Sequence, residues 1–145
     1  MNVWQAQTDD EIKTCYSVMR QLRPHYTVAA FVARVRFQQG LGYHLVCLEG
    51  PDGPLAVAGY QIRETLIDGR FLHVDDLVTD DGRRSRGHGG ELLAWLIERA
   101  RDLECDSLQL DSGVHREDAH RFYEREGLTR TAYHFSQQTR ERGTA

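Results

Sequence analysis

The stretch RRSRGHGGELLAWLIERA, from Arg83 to Ala100, constrains this chain more than any other. Three arginines and three glycines fall within its first eight residues. The pattern then becomes helical without a break, with Leu92, Leu93, Leu96, Ile97, Ala100 and Leu103 on one stripe. A helix N-terminus carries N–H groups without intrahelical acceptors and a partial positive charge. Glycines let a backbone approach a ligand closely, and arginines add bidentate donors. Strand, glycine–arginine loop and helix therefore read as a cradle for a pyrophosphate. The competing reading is a flexible loop of solvated charges. Two phosphate loops are excluded by spacing. GHGGEL lacks the third glycine of GxGxxG, and Glu91 follows Gly90 where GxxxxGK[ST] needs a lysine.

The elements around this stretch alternate in type. Val3 to Ala6 reads as a short strand. Thr8 with Glu11 forms a capping-box signal for a helix through Ile12, Cys15, Met19 and Leu22, ended by Pro24. VAAFVARVRFQQ reads as a second helix stopped by Gly40. YHLVCLE, LAVAGYQIRET and FLHVDDLVT read as three strands of an antiparallel meander, joined by GPDGP and by Asp68-Gly69. SLQLDS is a further strand, REDAHRFYERE a helix stopped at Gly127, and TAYHFSQQ a last strand. The order is β-α-α-β-β-β-α-β-α-β, an α+β fold with a mixed central sheet. FLHVDDLVT, the long helix and SLQLDS make a βαβ unit, so those two strands are expected to be parallel.

The bulk properties narrow the function classes. Residues 1–145 suit a single domain. A net charge of -4 opposes a general nucleic-acid partner, and no apolar run is long enough to span a membrane. The N-terminus lacks the cationic start and apolar stretch of a secretory signal. Cys15, Cys47 and Cys105 are odd in number, far apart and without CxxC spacing, so neither a disulfide framework nor a metal site is expected. Buried thiols of a reducing, cytoplasmic compartment are the expectation.

Arg84-x-x-Gly87-x-Gly89 resembles the acetyl-CoA signature [QR]-x-x-G-x-[GA] of the GCN5-related N-acetyltransferase (GNAT) superfamily. HVDDLVTDD is similar to that family's fourth strand. Ala119, Phe122, Tyr123, Gly127 and Leu128 match N-x-x-A-x-x-[FL]-Y-x-x-x-G-[FL], with Arg116 in place of the asparagine. The matched motifs run from about Phe71 to Leu128, in the expected order.

The resemblance implies a GNAT-type fold and an acetyl-CoA-dependent N-acetyltransferase, with direct attack of a primary amine on the thioester and no metal. The alternative within the fold is a non-catalytic CoA or acyl-CoA-binding sensor. Implied for the cofactor are backbone groups of Leu77, Val78 and Thr79 along the pantetheine. The pyrophosphate would fall to Arg84, Ser85, Arg86, Gly87, His88, Gly89 and Gly90. Arg116 either reaches a CoA phosphate or faces solvent. Tyr123 stands at the family's general-acid position; without the match it reads as a core tyrosine.

The proton acceptor is placed by resemblance at His73 or Asp75, and an imidazole suits that work near neutral pH. Asp75 could instead hold the cationic amine or steer a water, and the resemblance equally allows the proton to leave through water with no single base. In strict alternation His73, Asp75, Leu77 and Thr79 share one face of their strand, and Val74, Asp76 and Val78 the other. Asp75 and Asp76 can face one cleft only if the strand bulges. Asp76 and Tyr26 are the candidate contacts to the acceptor, against readings as a structural hydrogen bond and a solvated loop. The acceptor is a small-molecule or peptide amine, and a homodimer is compatible with the resemblance.

Overall fold

The computed structural model describes residues 2–84 and 86–143. Five strands form one sheet in the order β1-β2-β3-β4-β5. They are β1 (Asn2–Gln5), β2 (Tyr43–Gly50), β3 (Gly53–Thr65), β4 (Gly69–Thr79) and β5 (Ser107–Leu110). The first four pair antiparallel, while β4 and β5 are parallel. The expected βαβ crossover is therefore present, and the sheet is mixed.

Helices cover both faces. α1 (Asp9–Leu22) and α2 (Val28–Gln39) lie on one side, α3 (His88–Asp102) on the other. Thr8 caps α1 by accepting from the Glu11 amide, and the Glu11 carboxylate accepts from the Thr8 amide at 2.9 Å. This capping box satisfies donors that the first turn cannot. Ile12, Cys15, Val18 and Met19 of α1 and Phe31 and Val35 of α2 pack on Tyr43, Leu45, Cys47, Val57 and Val78. Contact with the Cys47 thiol, together with burial, pushes the Cys15 thiol far above its ordinary range. On the opposite face Leu92, Leu96 and Ala100 of α3 pack on Val46, Leu48, Ala58, Tyr60, Leu72 and Val74.

The last helix, α4 (Glu117–Arg125), ends as its sequence demands. Gly127 has φ +98°, the Gly127 amide donates to Glu124 O, and the Leu128 amide donates to Tyr123 O at 2.9 Å. That double closure is a Schellman motif, which needs a left-handed residue after the cap.

Two expected elements differ. The strand SLQLDS stops at Leu110, so Asp111 and Ser112 leave the sheet. The final strand over TAYHFSQQ does not form. Its residues are irregular and exposed, with Tyr133 and Phe135 about nine-tenths accessible. Alternating aromatics specify a strand only where a sheet edge and a covering layer receive them.

Two contacts tie the α1 side to the end of β4. Gln21 donates to Asp80 Oδ1 at 2.9 Å and accepts from the Asp81 amide at 2.7 Å. Further along the sheet, Gly59 lies beneath the Tyr43 ring, where a Cβ would fall 1.7 Å from the phenol oxygen. Gly59→Ala should therefore destabilise the protein by about 1–3 kcal/mol, the usual range for overpacking a core. Urea unfolding measures this as a lower midpoint, and an unchanged midpoint would contradict the packing.

Candidate active site

The site is built on an irregularity in β4. Gly59 pairs with Asp76 and Tyr60 with Val74, so Asp75 has no partner on β3. This is a β-bulge, an extra residue that reverses the facing of everything after it. Val74 packs in the α3-side core, whereas Val78, of the same parity, packs in the α1–α2 core. The strict alternation expected for β4 is thus corrected at Asp75: Asp76 moves to the face that carries His73, and Leu77 to the α3 side.

The bulge gathers a polar cluster on the α1–α2 face. His73 Nδ1 lies 2.9 Å from Asp75 Oδ1, and Gln61 donates to Asp75 Oδ2 at 2.8 Å. Tyr43 donates to Asp76 Oδ2 at 2.7 Å, and Arg23 Nε donates to Asp76 Oδ1 at 3.0 Å. Arg23 also donates to the Asp75 carbonyl at 3.2 Å. The two adjacent carboxylates consequently differ. Asp76 has a fold partner on each oxygen, so it braces the α1 end against the sheet, while each carboxylate oxygen keeps a second lone pair. Asp75 is oriented by neutral Gln61 and by a titratable ring. Tyr26 packs half-buried against the α1–α2 core, with its carbonyl accepting from the Tyr16 hydroxyl at 2.6 Å and its ring 4.2 Å from that of His25.

The bulge also marks where the sheet opens. β4 and β5 pair from Phe71↔Ser107 to Val74↔Leu110 and no further. β4 continues to Thr79 without a β5 partner among the described residues. Leu77, Val78 and Thr79 therefore present backbone N–H and C=O groups along one open edge. At the end of that edge stands the start of α3. Gly87 is its N-cap with φ +82°. A Cβ at Gly89 would lie 3.1 Å from Thr79 Oγ1 and 3.4 Å from Phe122 Cζ. A Cβ at Gly90 would lie 2.8 Å from Glu126 Oε1. The glycines thus let β4, α3 and α4 converge on one helix N-terminus. The His88 Nδ1 atom is buried there with no hydrogen-bond partner among the described residues. An open edge, a first helical turn and an unpartnered buried nitrogen together fit a phosphate-bearing, peptide-like chain such as CoA.

Of the arginines, Arg83 pairs with Asp80 at 3.7 Å and Arg84 with Asp81 at 2.5 Å, while Arg86 is exposed. Ser85 lies outside the described residues. Arg116 is the exposed N-cap of α4. Tyr123, one turn from that helix's end, is half-buried with its ring 5.3 Å from Phe122. Burial raises its phenol above the ordinary value and the nearby Arg116 charge opposes this, so the hydroxyl is a proton donor at neutral pH.

Comparisons with known proteins decide the family. The family model described as Acetyltransferase (GNAT) family matches residues 6–128. The uncharacterized N-acetyltransferase YhdJ of Bacillus subtilis is 32% identical over 133 residues, covering 90% of this chain and 94% of that one. The chain belongs to the GNAT acetyltransferase family. An aminoalkylphosphonate N-acetyltransferase of Salmonella typhimurium is 36% identical over 63 residues, 43% of this chain and 41% of its own. Among solved structures, an aminoglycoside N-acetyltransferase in complex with CoA superposes with a TM-score of 0.82 at 14% identity, covering 96% of this chain and 94% of that one. Glucosamine-6-phosphate N-acetyltransferase from Arabidopsis thaliana gives 0.76 at 19%, covering 96% and 98%. These two likenesses establish the GNAT fold.

Sequence alone left Tyr43, Gln61 and Asp111 unmarked. The one available signal was Gly59 inside LAVAGYQIRET, since a mid-strand glycine marks a bulge or a close approach. Tyr43 gives the test of this cluster. Burial, and then the Asp76 charge, raise its phenol well above 10.0. A group whose folded value is raised stabilises the fold below its unfolded value, and that contribution is lost as pH rises beyond it. Folding stability should accordingly fall as pH climbs above about 10. Tyr43→Phe should cost about 1.5–3 kcal/mol at pH 7, as for a hydrogen bond to a charged group, and should reduce the alkaline loss. Denaturant unfolding at pH 7 and above pH 10 measures both.

Proposed function

We propose that this protein transfers an acetyl group from acetyl-CoA to a primary amine of a small molecule. The observation that carries the reading is the end of β4–β5 pairing at Val74↔Leu110, directly before an edge that leads to the glycine-rich start of α3. Bound acetyl-CoA supplies an activated acyl group. The chain's own residues do the rest. Leu77, Val78 and Thr79 offer backbone groups to hold the pantetheine. The first turn of α3, with Arg84 and Arg86, offsets the phosphate charge. Arg116, the exposed N-cap of α4, is the further guanidinium offered to a CoA phosphate.

Amine attack needs a neutral nucleophile and a proton donor for the departing thiolate. Asp75 with His73 faces the acceptor side and takes the amine proton. The Tyr123 phenol gives a proton to the sulfur, and its upward shift keeps that proton available through neutral pH. Tyr26 and the α1–α2 join border the acceptor. Two relatives are named for their acceptors, an aminoalkylphosphonate N-acetyltransferase and a glucosamine 6-phosphate N-acetyltransferase, which supports a small-molecule amine.

Thiol release from acetyl-CoA in the presence of a panel of small amines tests the activity. Tyr123→Phe should lower kcat by about 10²-fold or more, the usual worth of a positioned general acid, with little change in KM for acetyl-CoA. Tight acetyl-CoA binding without turnover of any amine would instead make the chain an acyl-CoA sensor, and absence of binding would remove both readings.

A further inference from the structure

Asp111 lies just past β5, where the sheet parts, and reaches the far side of His73. Its Oδ2 is 3.7 Å from His73 Nε2, while Asp75 Oδ1 is 2.9 Å from His73 Nδ1. One ring therefore stands between two carboxylates, each addressed by a different nitrogen. The three groups differ in access to water. The Asp75 side chain is 28% exposed, that of His73 13% and that of Asp111 60%. The line runs from the cleft, through a nearly buried ring, to the surface. Beyond Asp111 stands the exposed His134, with Nδ1 3.5 Å from Asp111 Oδ2.

We propose that Asp75, His73 and Asp111 form an outlet that carries the amine proton from the acceptor site to bulk water. The proposal rests on the transferase reading above. The N–H bond of the ammonium breaks and its proton passes to Asp75. His73, in its Nε2–H form, takes that proton from Asp75 at Nδ1 while its Nε2–H passes to Asp111 Oδ2, and exchange of the ring proton with water restores the Nε2–H form before the next turnover. Asp111 then releases the proton to water or to His134. One proton enters the line and one leaves; no electrons change hands. The Nε2–Oδ2 separation exceeds a direct hydrogen bond. It is also too short to admit a bridging water, so a small rotation of the exposed Asp111 side chain completes the contact. His73 and Asp111 act through Asp75 and are positioning residues for the reaction.

The remaining groups around His73 fit this role. Gln61, opposite it on β3, is neutral and fixes Asp75 Oδ2. Phe71 stands edge-on at 6.4 Å, with the Arg63 guanidinium over its outer side at 5.4 Å. Arg23 neutralises Asp76 and leaves the charge of Asp75 to the ring. Among the described residues, Asp75 and Asp111 are thus the two acids that address His73 directly.

Two measurements test the outlet. In the substrate-free protein, the imidazole of His73 is titrated by nuclear magnetic resonance in wild type, Asp75→Asn and Asp111→Asn. Removal of either carboxylate should lower the titration midpoint, because each favours the imidazolium. An unchanged midpoint in Asp111→Asn overturns the outlet, whether or not any amine is acetylated. In turnover, His73→Ala should lose about 10²-fold in kcat, as for removal of a proton-transfer group, with KM for acetyl-CoA unchanged. Added imidazole should restore part of the rate. Asp111→Asn should lose about 3- to 10-fold, less than the roughly 10²-fold of a group that takes the proton directly, and should displace the acidic limb of the kcat profile. Full kcat in His73→Ala also overturns the outlet. Failure of the wild type to acetylate any amine removes the transferase reading, while the titration still decides whether Asp111 couples to His73.

Discussion

The unpaired residue Asp75 is the point on which this molecule turns. A strand that pairs on both sides over its whole length leaves no opening for a ligand. Here β4 pairs with β3 on either side of Asp75, the bulge re-aims its second half, and β5 pairs only as far as Val74. One extra residue therefore does two jobs. It places Asp76 beside Asp75 on the α1–α2 face, and it adjoins the free edge that runs to α3. Bulges kink a strand and increase its local twist, which suits the parting of two neighbours. The cost of the irregularity falls on Tyr43 and Arg23, which hold Asp76 in a partly buried place, and on Gly59, which makes room for the Tyr43 ring.

The cluster divides labour by partner rather than by residue type. Asp75 and Asp76 are identical in chemistry and adjacent in sequence. Asp76 meets a phenol at 2.7 Å and a guanidinium at 3.0 Å, so its charge is spent within the fold. Asp75 meets an amide and an imidazole, which orient it without a fixed cation beside it. Environment sets the role of each carboxylate, as in other paired-acid sites.

Much of this was legible beforehand, for reasons that differ by element. α1, α2 and α3 followed from local signals: the Thr8–Glu11 box, the Gly40 stop and the leucine stripe of α3. The glycine–arginine turn before α3 was visible in composition between Arg84 and Gly90, but composition alone left it open between a ligand cradle and a solvated loop. The bulge was legible only as a condition, since alternation forbade Asp75 and Asp76 from sharing a face without it. Which residue would bulge depends on the β3 register, a non-local fact. Tyr43 was unreadable because its partner lies 33 residues away, and Asp111 because its neighbour His73 comes from another strand. TAYHFSQQ misled for the converse reason. Its alternation is local, whereas a strand exists only when an edge accepts it.

Gln21 carries a last consequence. Its single amide group grips both Asp80 and Asp81, donating to one and accepting from the other. Those residues open the segment that leads to the glycine-rich turn, while Gln21 itself belongs to the helix bordering the opposite half of the cleft. The two halves are thus riveted at one side chain. On the proposed transferase reading α1 borders the acceptor and the turn before α3 holds the donor, so a substitution that tilts α1 would also shift the approach to α3. Selection on acceptor choice and selection on donor grip would then act on a shared joint.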